Sequence, residues 1–480
     1  MYNIQQGELF SFEELLGMSV EQKYAAILEH LPMERILRSV AKKSILGRAE
    51  SLNTRAMVYS LIIGKIERIR YTKDLIGRLR TQTEFRKMCR FTDSDRIPSE
   101  AAYSRLAKKL EQTGVLQSVM DILVDRAIAV GWISGNVLAM DGSHIECFDR
   151  NPHLDKKKIA VPATDSTSND QSQSLVATES FTTAKPSKPK RSKRGRVPKA
   201  EEAAWQQQLQ AYKASLSWFE RDVADMLDAS YDELIRDMPI APGIGAKGDV
   251  RGKGTTKYWY GYRYHAMVDT SSQYIVTGEI CSANVSEQRL AIVMLKRIKE
   301  RFSALKISHV LADKGYDSEP VYQQIRRLGS LPLIPLIHRS PLPEGVDRYF
   351  RPLCGQGHPY QYDSYDAKRK TVKYTRPKEC KTCSLAGEKC QRVYKFRIDE
   401  DVRRYSAPGR GSKKFAELFK QRVAVERVFA YLKLYFNLDM TRKLKKRAFV
   451  DYHLSCLTYN LCKYSLDHLN RSIRELNHVA

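Results

Sequence analysis

Apolar side chains recur three and four positions apart through the first 130 residues, the spacing that lines one face of a helix. Ile27, Leu28 and Leu31 form one such set. A segment that starts at Pro98 and continues with Ser and Glu is typical of a capped helix, which belongs either to a helix-turn-helix unit or to an ordinary helical bundle. We therefore predict an all-α region over residues 1–130.

Near residue 137 the pattern changes from helical to extended. Val137 to Met140 form a short apolar run that stops at Asp141 and Gly142, as a buried strand does. Tyrosines alternate with other residues from 258 to 264, and a second run follows at 274–280, so these two runs predict a hairpin. The remaining predicted elements are a Gly-rich turn region at 242–254, a helix after Ser286, a strand at 307–311, a helix at 318–328 and a strand at 331–337.

The order of these elements predicts the fold class. With a final helix after residue 412, it reads strand, long insert, strand, strand, helix, strand, helix, strand. This is the order of an α/β, ribonuclease H-like fold, a mixed sheet with helices on both faces. We predict a catalytic core formed by residues 131–150 and 238–337, completed by a core helix and C-terminal helices in 412–480.

A long insert separates the first strand from the hairpin. Residues 150–200 are rich in Ser, Thr, Lys and Pro, and positions 185–196 hold seven basic side chains in twelve. Such a composition buries too little apolar surface to order itself, which predicts a flexible arm that contacts phosphates; a nuclear-localisation signal is the alternative. A helical stretch follows, and we treat residues 151–237 as one basic flexible and helical insert.

The charge of the chain narrows the class of partner. Among 480 residues there are 81 Lys plus Arg and 55 Asp plus Glu, a formal net charge of +26. An excess of that size favours a polyanion over acidic or small neutral ligands. No apolar run is long enough to span a membrane and the N-terminus lacks the order of a signal peptide, so we expect an intracellular protein without membrane contact.

Three acidic residues are the candidates for chemistry. Asp141 and Asp313 each follow a predicted strand, and because the first and fourth strands of such a sheet are neighbours, the two carboxylates can converge. Glu426 lies between Arg422 and Lys433 on one stripe of a helix. Taken singly, the aspartates could be turn formers and the helix a face laced with salt bridges. Together they suit phosphodiester chemistry, in which carboxylates hold two Mg²⁺ or Mn²⁺ ions about 4 Å apart.

The ordered combination of these motifs resembles the DDE transposases of bacterial insertion sequences, in the group marked by a Tyr, Arg, Glu, Lys signature. The motifs are LAMDGSH, GYRYHAMVD, VLADKGYDS and the helix that follows. Arg422, Glu426 and Lys433 keep the spacing of the signature, with three and six intervening residues, whereas Phe419 stands where the family has Tyr. The resemblance covers about residues 137–150 and 250–475.

This resemblance implies a DNA transposase that cuts the ends of a mobile element and joins the exposed 3′ hydroxyls to target DNA. It implies that Asp141, Asp313 and Glu426 are catalytic metal ligands and that Arg422 and Lys433 bind DNA, facing phosphates rather than protein acids. Recognition of the terminal inverted repeats falls to the basic helical region 1–130. The partner would be double-stranded DNA, bound by a homodimer on paired ends, in the cytoplasm and at the nucleoid of a bacterium.

Two other functions use the same features. A sequence-specific DNA-binding protein without catalysis would be marked by loss of one of the acids, and none is lost. A related metal-dependent nuclease that cuts but never joins would keep the same residues. The products of strand transfer would distinguish the transposase from that nuclease.

Four of the nine cysteines cluster in residues 338–411, which we predict to be an insertion. They are Cys354, Cys380, Cys383 and Cys390. Four thiolates can close a tetrahedral zinc site, and His358 could replace one of them. Because the stretch is rich in Pro and Lys and poor in apolar residues, a bound metal would supply folding energy that its core cannot. The alternative is unliganded cysteines in an ordinary loop.

Overall fold

The computed structural model describes residues 19–41, 52–147, 186–189, 197–247, 257–383, 391–438 and 445–479. The chain divides into two compact units. The larger joins Met1–Phe148 with Ile240–Ala480, and the smaller is Asp149–Pro239. Most of the basic run at 185–196 lies outside the described residues, so the flexible arm stays a prediction.

Helices fill the described part of the chain before the first strand. They are α1 (Val20–Glu29), α2 (Met33–Val40), α3 (Thr54–Ile66), α4 (Thr72–Thr81), α5 (Thr83–Met88), α6 (Glu100–Thr113) and α7 (Val115–Ala129). α6 begins where its sequence predicts, because the Ser99 side chain accepts a hydrogen bond from the Ala102 N–H at 3.3 Å. Gly114 ends α6 in the left-handed conformation, at φ +59°, which glycine adopts without steric cost.

The smaller unit contains two described helices, α8 (Lys199–Ser215) and α9 (Tyr231–Asp237). α9 starts with a capping box, in which the Ser230 hydroxyl accepts from the Glu233 N–H and the Glu233 carboxylate accepts from the Ser230 N–H. The helical stretch expected after residue 201 is therefore two helices, separated by a short 3₁₀ turn at Asp225–Leu227.

A six-stranded mixed sheet forms the centre of the larger unit. Its strands are β1 (Val137–Glu146), β2 (Gly243–Lys247), β3 (Lys257–Asp269), β4 (Ile275–Ser282), β5 (His309–Leu311) and β6 (Leu331–Leu333). β1, β2 and β4 all pair with β3 in antiparallel orientation. β5 pairs with β1 and β6 with β5, both parallel. The prediction that the first strand lies beside the one at 307–311 is confirmed.

Two strands differ from their predicted form. β1 does not stop at Asp141 but continues to Glu146, because the long β3 pairs with it as far as Gly261. β2 is an edge strand within the region predicted to be a Gly-rich turn. Its Gly245 lies against an aromatic ring, since a Cβ there would be 2.2 Å from the ring of Trp259. Glycine therefore serves close packing in this strand rather than a turn.

The chain after β4 alternates helices with the remaining strands. The helices are α10 (Glu287–Arg301), α11 (Glu319–Arg327), α12 (Lys413–Lys420), α13 (Val423–Phe436) and α14 (Lys445–Val479). No helix among the described residues combines the length and the apolar character that crossing a membrane requires.

Alternation along β3 separates the two faces of the sheet. Tyr264 points to one face, where its ring meets Phe429 of α13 with centroids 5.1 Å apart. Arg263 and His265 point to the other face, where Arg263 forms an ion pair with Glu287 of α10. Both faces of the sheet are thus covered by helices, α13 on one and α10 on the other.

Helix α14 is held to the sheet by polar groups on its buried side. The Asn460 side chain accepts from the Ile275 N–H at 3.1 Å and donates to the Ile275 carbonyl at 2.9 Å, so it replaces a neighbouring strand at β4. The Tyr452 hydroxyl donates to the His265 carbonyl at 2.7 Å. These bonds fix the backbone of β3 and β4 from the α14 side.

The cysteine-containing insertion has a core of its own, contrary to the expectation that it is too poor in apolar residues. A three-stranded antiparallel sheet, β7 (Gln361–Asp366), β8 (Thr371–Thr375) and β9 (Val393–Arg397), buries Val372, Tyr374 and Ile398. Phe396 and Tyr405 stack with ring centroids 4.8 Å apart. The aromatic residues are spread thinly among Lys and Pro in the sequence, but the pleat gathers them on one side.

Asp317, which follows the 3₁₀ turn Lys314–Tyr316, links the insertion to the sheet. It is fully buried and accepts hydrogen bonds from the Tyr322 hydroxyl, the Ile337 N–H and the Arg403 guanidinium, the last at 2.8 and 2.7 Å. Burial alone would raise the pKa of Asp317, but the bonds from Arg403 and Ile337 and the charge of Arg403 hold it below the ordinary value.

We expect Asp317→Asn to lower the free energy of unfolding by about 3 kcal/mol at pH 7, because it leaves the Arg403 charge without its buried partner. Since the pKa of Asp317 is depressed in the folded state, its contribution is present above the unfolded pKa of about 3.9 and is lost as pH falls further. Urea unfolding at pH 7 and pH 3 measures both effects. Asp363→Asn, which breaks the exposed pair with Lys373, is the control and should change stability by less than about 1 kcal/mol. Equal losses in the two variants would contradict the role of Asp317.

Candidate active site

Asp141 and Asp313 lie at matching positions of two neighbouring parallel strands. β1 and β5 pair in the register Val137 with His309 and Ala139 with Leu311. Each aspartate comes two residues after the last of these pairs, so both carboxylates are at the same end of the strands. Asp313 begins the 3₁₀ turn, and its Oδ1 accepts from the Gly315 N–H at 2.8 Å.

The Asp141 carboxylate is largely buried and only partly compensated. Its Oδ1 accepts from the Gly142 N–H at 2.8 Å and its Oδ2 from the Arg422 guanidinium at 2.9 Å. Burial raises the pKa of Asp141, the Gly142 N–H and the charge of Arg422 lower it, and the charge of Asp313 raises it. The net pKa lies above the ordinary value, so the ionised form is held at a cost.

Arg422 bridges two of the predicted acids. It stands at the start of α13, one helical turn before Glu426, and its guanidinium binds both the Asp141 and the Glu426 carboxylates. Burial lowers the pKa of Arg422, but the negative charges of Asp141 and Glu426 raise it above its ordinary value. In the structure described this side chain faces protein acids, and its contact with phosphates stays a prediction. The same planar N–H groups suit carboxylates as well as phosphates.

Lys433 lies two helical turns beyond Glu426 and reaches the strand that carries Asp141. Its ammonium donates to the Ser143 hydroxyl at 2.7 Å. Ser143 and Asp141 are two residues apart in β1, so they point to the same face of the sheet. Helix α13 thus brings Arg422, Glu426 and Lys433 to the strand that carries Asp141.

Phe419 precedes this group on α12. Its ring stacks on Phe415, with centroids 5.8 Å apart, and the Arg422 guanidinium lies 5.9 Å from the Phe419 ring centre. The side chain at this position of the signature therefore contacts the arginine of the signature through its ring.

His265 was not among the predicted site residues, yet it lies directly behind Asp141. It is fully buried and opposite Gly142 in the β1–β3 register, and a Cβ on Gly142 would be 2.7 Å from its ring. Its Nδ1 is 2.8 Å from the Tyr316 hydroxyl. Burial and the charge of Arg263 lower the pKa of His265 to about 3, so the ring is neutral at pH 7.

Glu287, the first residue of α10, is a further acidic residue at the site that the sequence did not single out. One carboxylate oxygen pairs with Arg263 at 3.4 Å. Burial raises the pKa of Glu287, Arg263 lowers it, and the charges of Asp313 and Asp141 raise it. A Ser followed by Glu is typical of an ordinary helix start, so the sequence gives no sign of a second role for Glu287.

The predicted zinc ligands are placed only in part. Cys354 and Cys380 belong to the core of the small sheet and Cys383 is half-buried, while Cys390 lies outside the described residues. Within the described ranges, no three His, Cys, Asp or Glu side chains form a ready metal-binding group. The zinc site stays a prediction.

The arrangement just beyond the paired segment of β1 and β5 brings carboxylate oxygens beside guanidinium and ammonium groups. Such oxygens are the ligands that Mg²⁺ and Mn²⁺ prefer. The neighbouring cations can bind an anionic substrate at the same place. The described residues thus place candidate ligands for a divalent cation beside cationic groups, although no three of these ligands form a ready metal-binding group.

Comparison with known proteins gives two family matches. Residues 236–461, which include Asp313 and Glu426, match the family described as Transposase DDE domain, and residues 13–109 match the family described as Transposase domain (DUF772). No curated protein matches the chain. Among solved structures, the chain is similar to a piggyBac transposase in a synaptic complex with hairpin DNA, at 12% identity over 98% of this chain and 81% of that one. The TM-score is 0.34, a likeness too slight to argue from.

We expect Arg422→Gln to lower the free energy of unfolding by about 1–2 kcal/mol at pH 7, because Asp141 and Glu426 lose their shared cation. Arg422 stabilises the ionised Asp141 carboxylate, so this contribution is present while Asp141 is ionised in the folded protein and disappears as pH falls through its folded-state pKa, which lies above the ordinary value. Asp141→Asn should act in the opposite direction and raise the urea midpoint at pH 7, since burial raises the pKa of the native carboxyl.

The control for this pair is Arg427→Gln, which removes an exposed arginine from the same helix. Its urea midpoint should match that of the unmodified protein. A loss for Asp141→Asn as large as that for Arg422→Gln would mean that the Asp141 charge stabilises the fold rather than straining it.

Proposed function

The chain belongs to the DDE transposases, and from this premise we propose that it cleaves DNA at the ends of an insertion sequence and transfers the exposed 3′ ends to target DNA. The observation that carries the proposal is the placement of Asp141 and Asp313 in register on neighbouring parallel strands. Helix α13 adds Glu426, Arg422 and Lys433 to the same place.

The strand order of the sheet supports the proposal that the core is ribonuclease H-like. Three antiparallel strands, β4, β3 and β1, are followed by the parallel strands β5 and β6, with helices on both faces. In this interpretation the site lies just beyond the paired segment of β1 and β5, and α13 covers it from one face.

Divalent cations fit the donor set of the site. Asp141, Asp313 and Glu426 offer hard carboxylate oxygens, and the Arg422 guanidinium already draws Asp141 and Glu426 toward one positive charge. These three acids would hold Mg²⁺ or Mn²⁺. When bound, such ions activate the attacking oxygen and stabilise the leaving 3′ oxygen.

Arg422 and Lys433 bind the DNA phosphates next to these acids. Arg422 now uses its N–H groups for Asp141 and Glu426, so it exchanges one anionic partner for another when DNA arrives. Lys433 is held by Ser143, two residues from Asp141, which places its ammonium beside the reacting phosphate. His265 and Tyr316 hold the backbone after Asp141 and after Asp313 in place from the opposite face.

The remaining assignments follow from the family and the charge. The helical region 1–130 binds the terminal inverted repeats, and the protein works as a homodimer on paired ends, near the bacterial nucleoid. The net charge of +26 favours DNA over other partners. Cys354, Cys380, Cys383 and Cys390 bind one structural zinc ion, which metal analysis of the purified protein would detect.

We expect Asp141→Asn, Asp313→Asn and Glu426→Gln each to reduce strand cleavage by at least about 10³-fold, because each removes a charged ligand while keeping the shape of the side chain. Binding of the same DNA should remain within about threefold. The assay uses a supercoiled plasmid that carries the DNA flanking the coding region, with Mg²⁺ or Mn²⁺, and gels that separate nicked, excised and strand-transfer products.

Asp363→Asn, in the small sheet, is the control and should cut like the unmodified protein. Cleavage by Asp313→Asn at the unmodified rate would refute the assignment of that residue. Binding without any nicking by the unmodified protein would favour the non-catalytic DNA-binding function, and nicking without strand-transfer products would favour the nuclease.

We also expect DNA affinity to fall steeply with salt, by at least about 10²-fold between 0.1 and 0.3 M NaCl, because Lys and Arg contacts to phosphate release counterions. Fluorescence anisotropy of labelled flanking DNA measures this dependence. Lys433→Ala should flatten the slope of log affinity against log salt by about one, whereas Arg427→Ala should leave it unchanged. A slope near zero for the unmodified protein would exclude phosphate contacts as the source of affinity.

A further inference from the structure

Glu287 approaches the catalytic carboxylates from the side of the sheet opposite to Glu426. It opens α10, whose side chains pack on the β3 and β4 face that carries Arg263 and His265. Asp313 lies beyond the end of the short strand β5, where groups from both faces of the sheet can reach it. Glu287 is therefore placed to share Asp313 with the acids on the other face.

The two oxygens of the Glu287 carboxylate have different neighbours. Oε1 forms the ion pair with Arg263. Oε2 faces Gly315, where a Cβ would lie 2.2 Å from Glu287 Oε2 and 3.0 Å from Asp313 Oδ1. Both carboxylates thus converge on the space that the missing side chain of Gly315 leaves open. A helix-capping or ion-pairing role accounts for Oε1 but not for the approach of Oε2 to Asp313.

The charges around Tyr316 point to the same grouping. Its buried hydroxyl has a pKa well above 10, raised first by burial and then by the negative charges of Glu287, Asp141 and Asp313. Two guanidinium groups, those of Arg263 and Arg422, pair with Glu287, Asp141 and Glu426. With Asp313 the site holds four carboxylates against these two guanidinium groups and the Lys433 ammonium, an excess of negative charge that a divalent cation would compensate.

We propose that Glu287 is a fourth carboxylate of the catalytic centre and binds a divalent cation together with Asp313. This inference rests on the proposed function for the presence of a cation at the site. The other three acids lie on β1, after β5 and on α13. The proposal adds a fourth ligand, from α10.

The test is Mn²⁺ binding by the full-length protein without DNA, followed by electron paramagnetic resonance of the free ion. We expect Glu287→Gln to weaken Mn²⁺ affinity about tenfold, as loss of a group near a metal commonly does, and Asp313→Asn to weaken it at least as much. Glu319→Gln is the matched control, because Glu319 is the first residue of α11, also follows a serine and is exposed. Its Mn²⁺ affinity should equal that of the unmodified protein.

A structural role for Glu287 predicts a different result. In that case Glu287→Gln would lower the melting temperature without metal but leave Mn²⁺ affinity at the value of Glu319→Gln, and this outcome would overturn the proposal. Glu287→Asp keeps the negative charge on a shorter side chain. If Glu287→Gln folds poorly, Glu287→Asp should still bind Mn²⁺ more tightly than Glu287→Gln does. Retained DNA cleavage by Asp141→Asn and Asp313→Asn would refute the proposed function, whereas Mn²⁺ affinity decides the role of Glu287 independently of it.

Discussion

Repulsion between the Asp141 and Asp313 carboxylates, at one end of a pair of parallel strands, is the constraint that the surrounding groups compensate. The β1–β5 register puts Asp141 and Asp313 at matching positions, and the charge of Asp313 contributes to the raised pKa of Asp141. The compensation comes from the N–H groups of Gly142 and Gly315 and from the Arg422 guanidinium. Arg422 stands at the start of helix α13. The packing of this helix against the sheet therefore positions the guanidinium beside the Asp141 carboxylate.

On the opposite face of the sheet, the group directly behind Asp141 is neutral at pH 7. It is the His265 ring, whose pKa complete burial keeps near 3. The ring lies against Gly142, and the backbone carbonyl of His265 accepts from Tyr452 of α14 on the other side of the sheet. Tyr316 links the ring to the turn that starts at Asp313. A movement of either aspartate backbone would therefore disturb buried hydrogen bonds on this face.

The parts of the site that could be predicted from the sequence depend on local spacing and element order. The positions of Arg422, Glu426 and Lys433 on one side of a helix follow from their separations, and the meeting of Asp141 with Asp313 follows from strand order. Whether Arg422 faces phosphate or carboxylate is not encoded in spacing, because both partners suit a guanidinium. His265 depends on the exact β1–β3 register, and Glu287 on the absence of a side chain at Gly315; both are tertiary facts. The core of the insertion could not be predicted from its composition, because that core depends on which side of a strand each aromatic residue occupies.

Asp141 is largely buried and Asp317 fully buried, but their pKa values shift in opposite directions. The contrast distinguishes an aspartate that stabilises the fold from one proposed to act in the site. Asp317 is fully buried but receives four hydrogen bonds, two of them from a guanidinium, and its pKa is lowered. Asp141 receives one backbone N–H and one shared guanidinium beside another carboxylate, and its pKa is raised. A carboxylate whose charge is fully satisfied by the fold has little to gain from another cation. One that is left under-compensated is a better candidate ligand for a cation, the role proposed for Asp141.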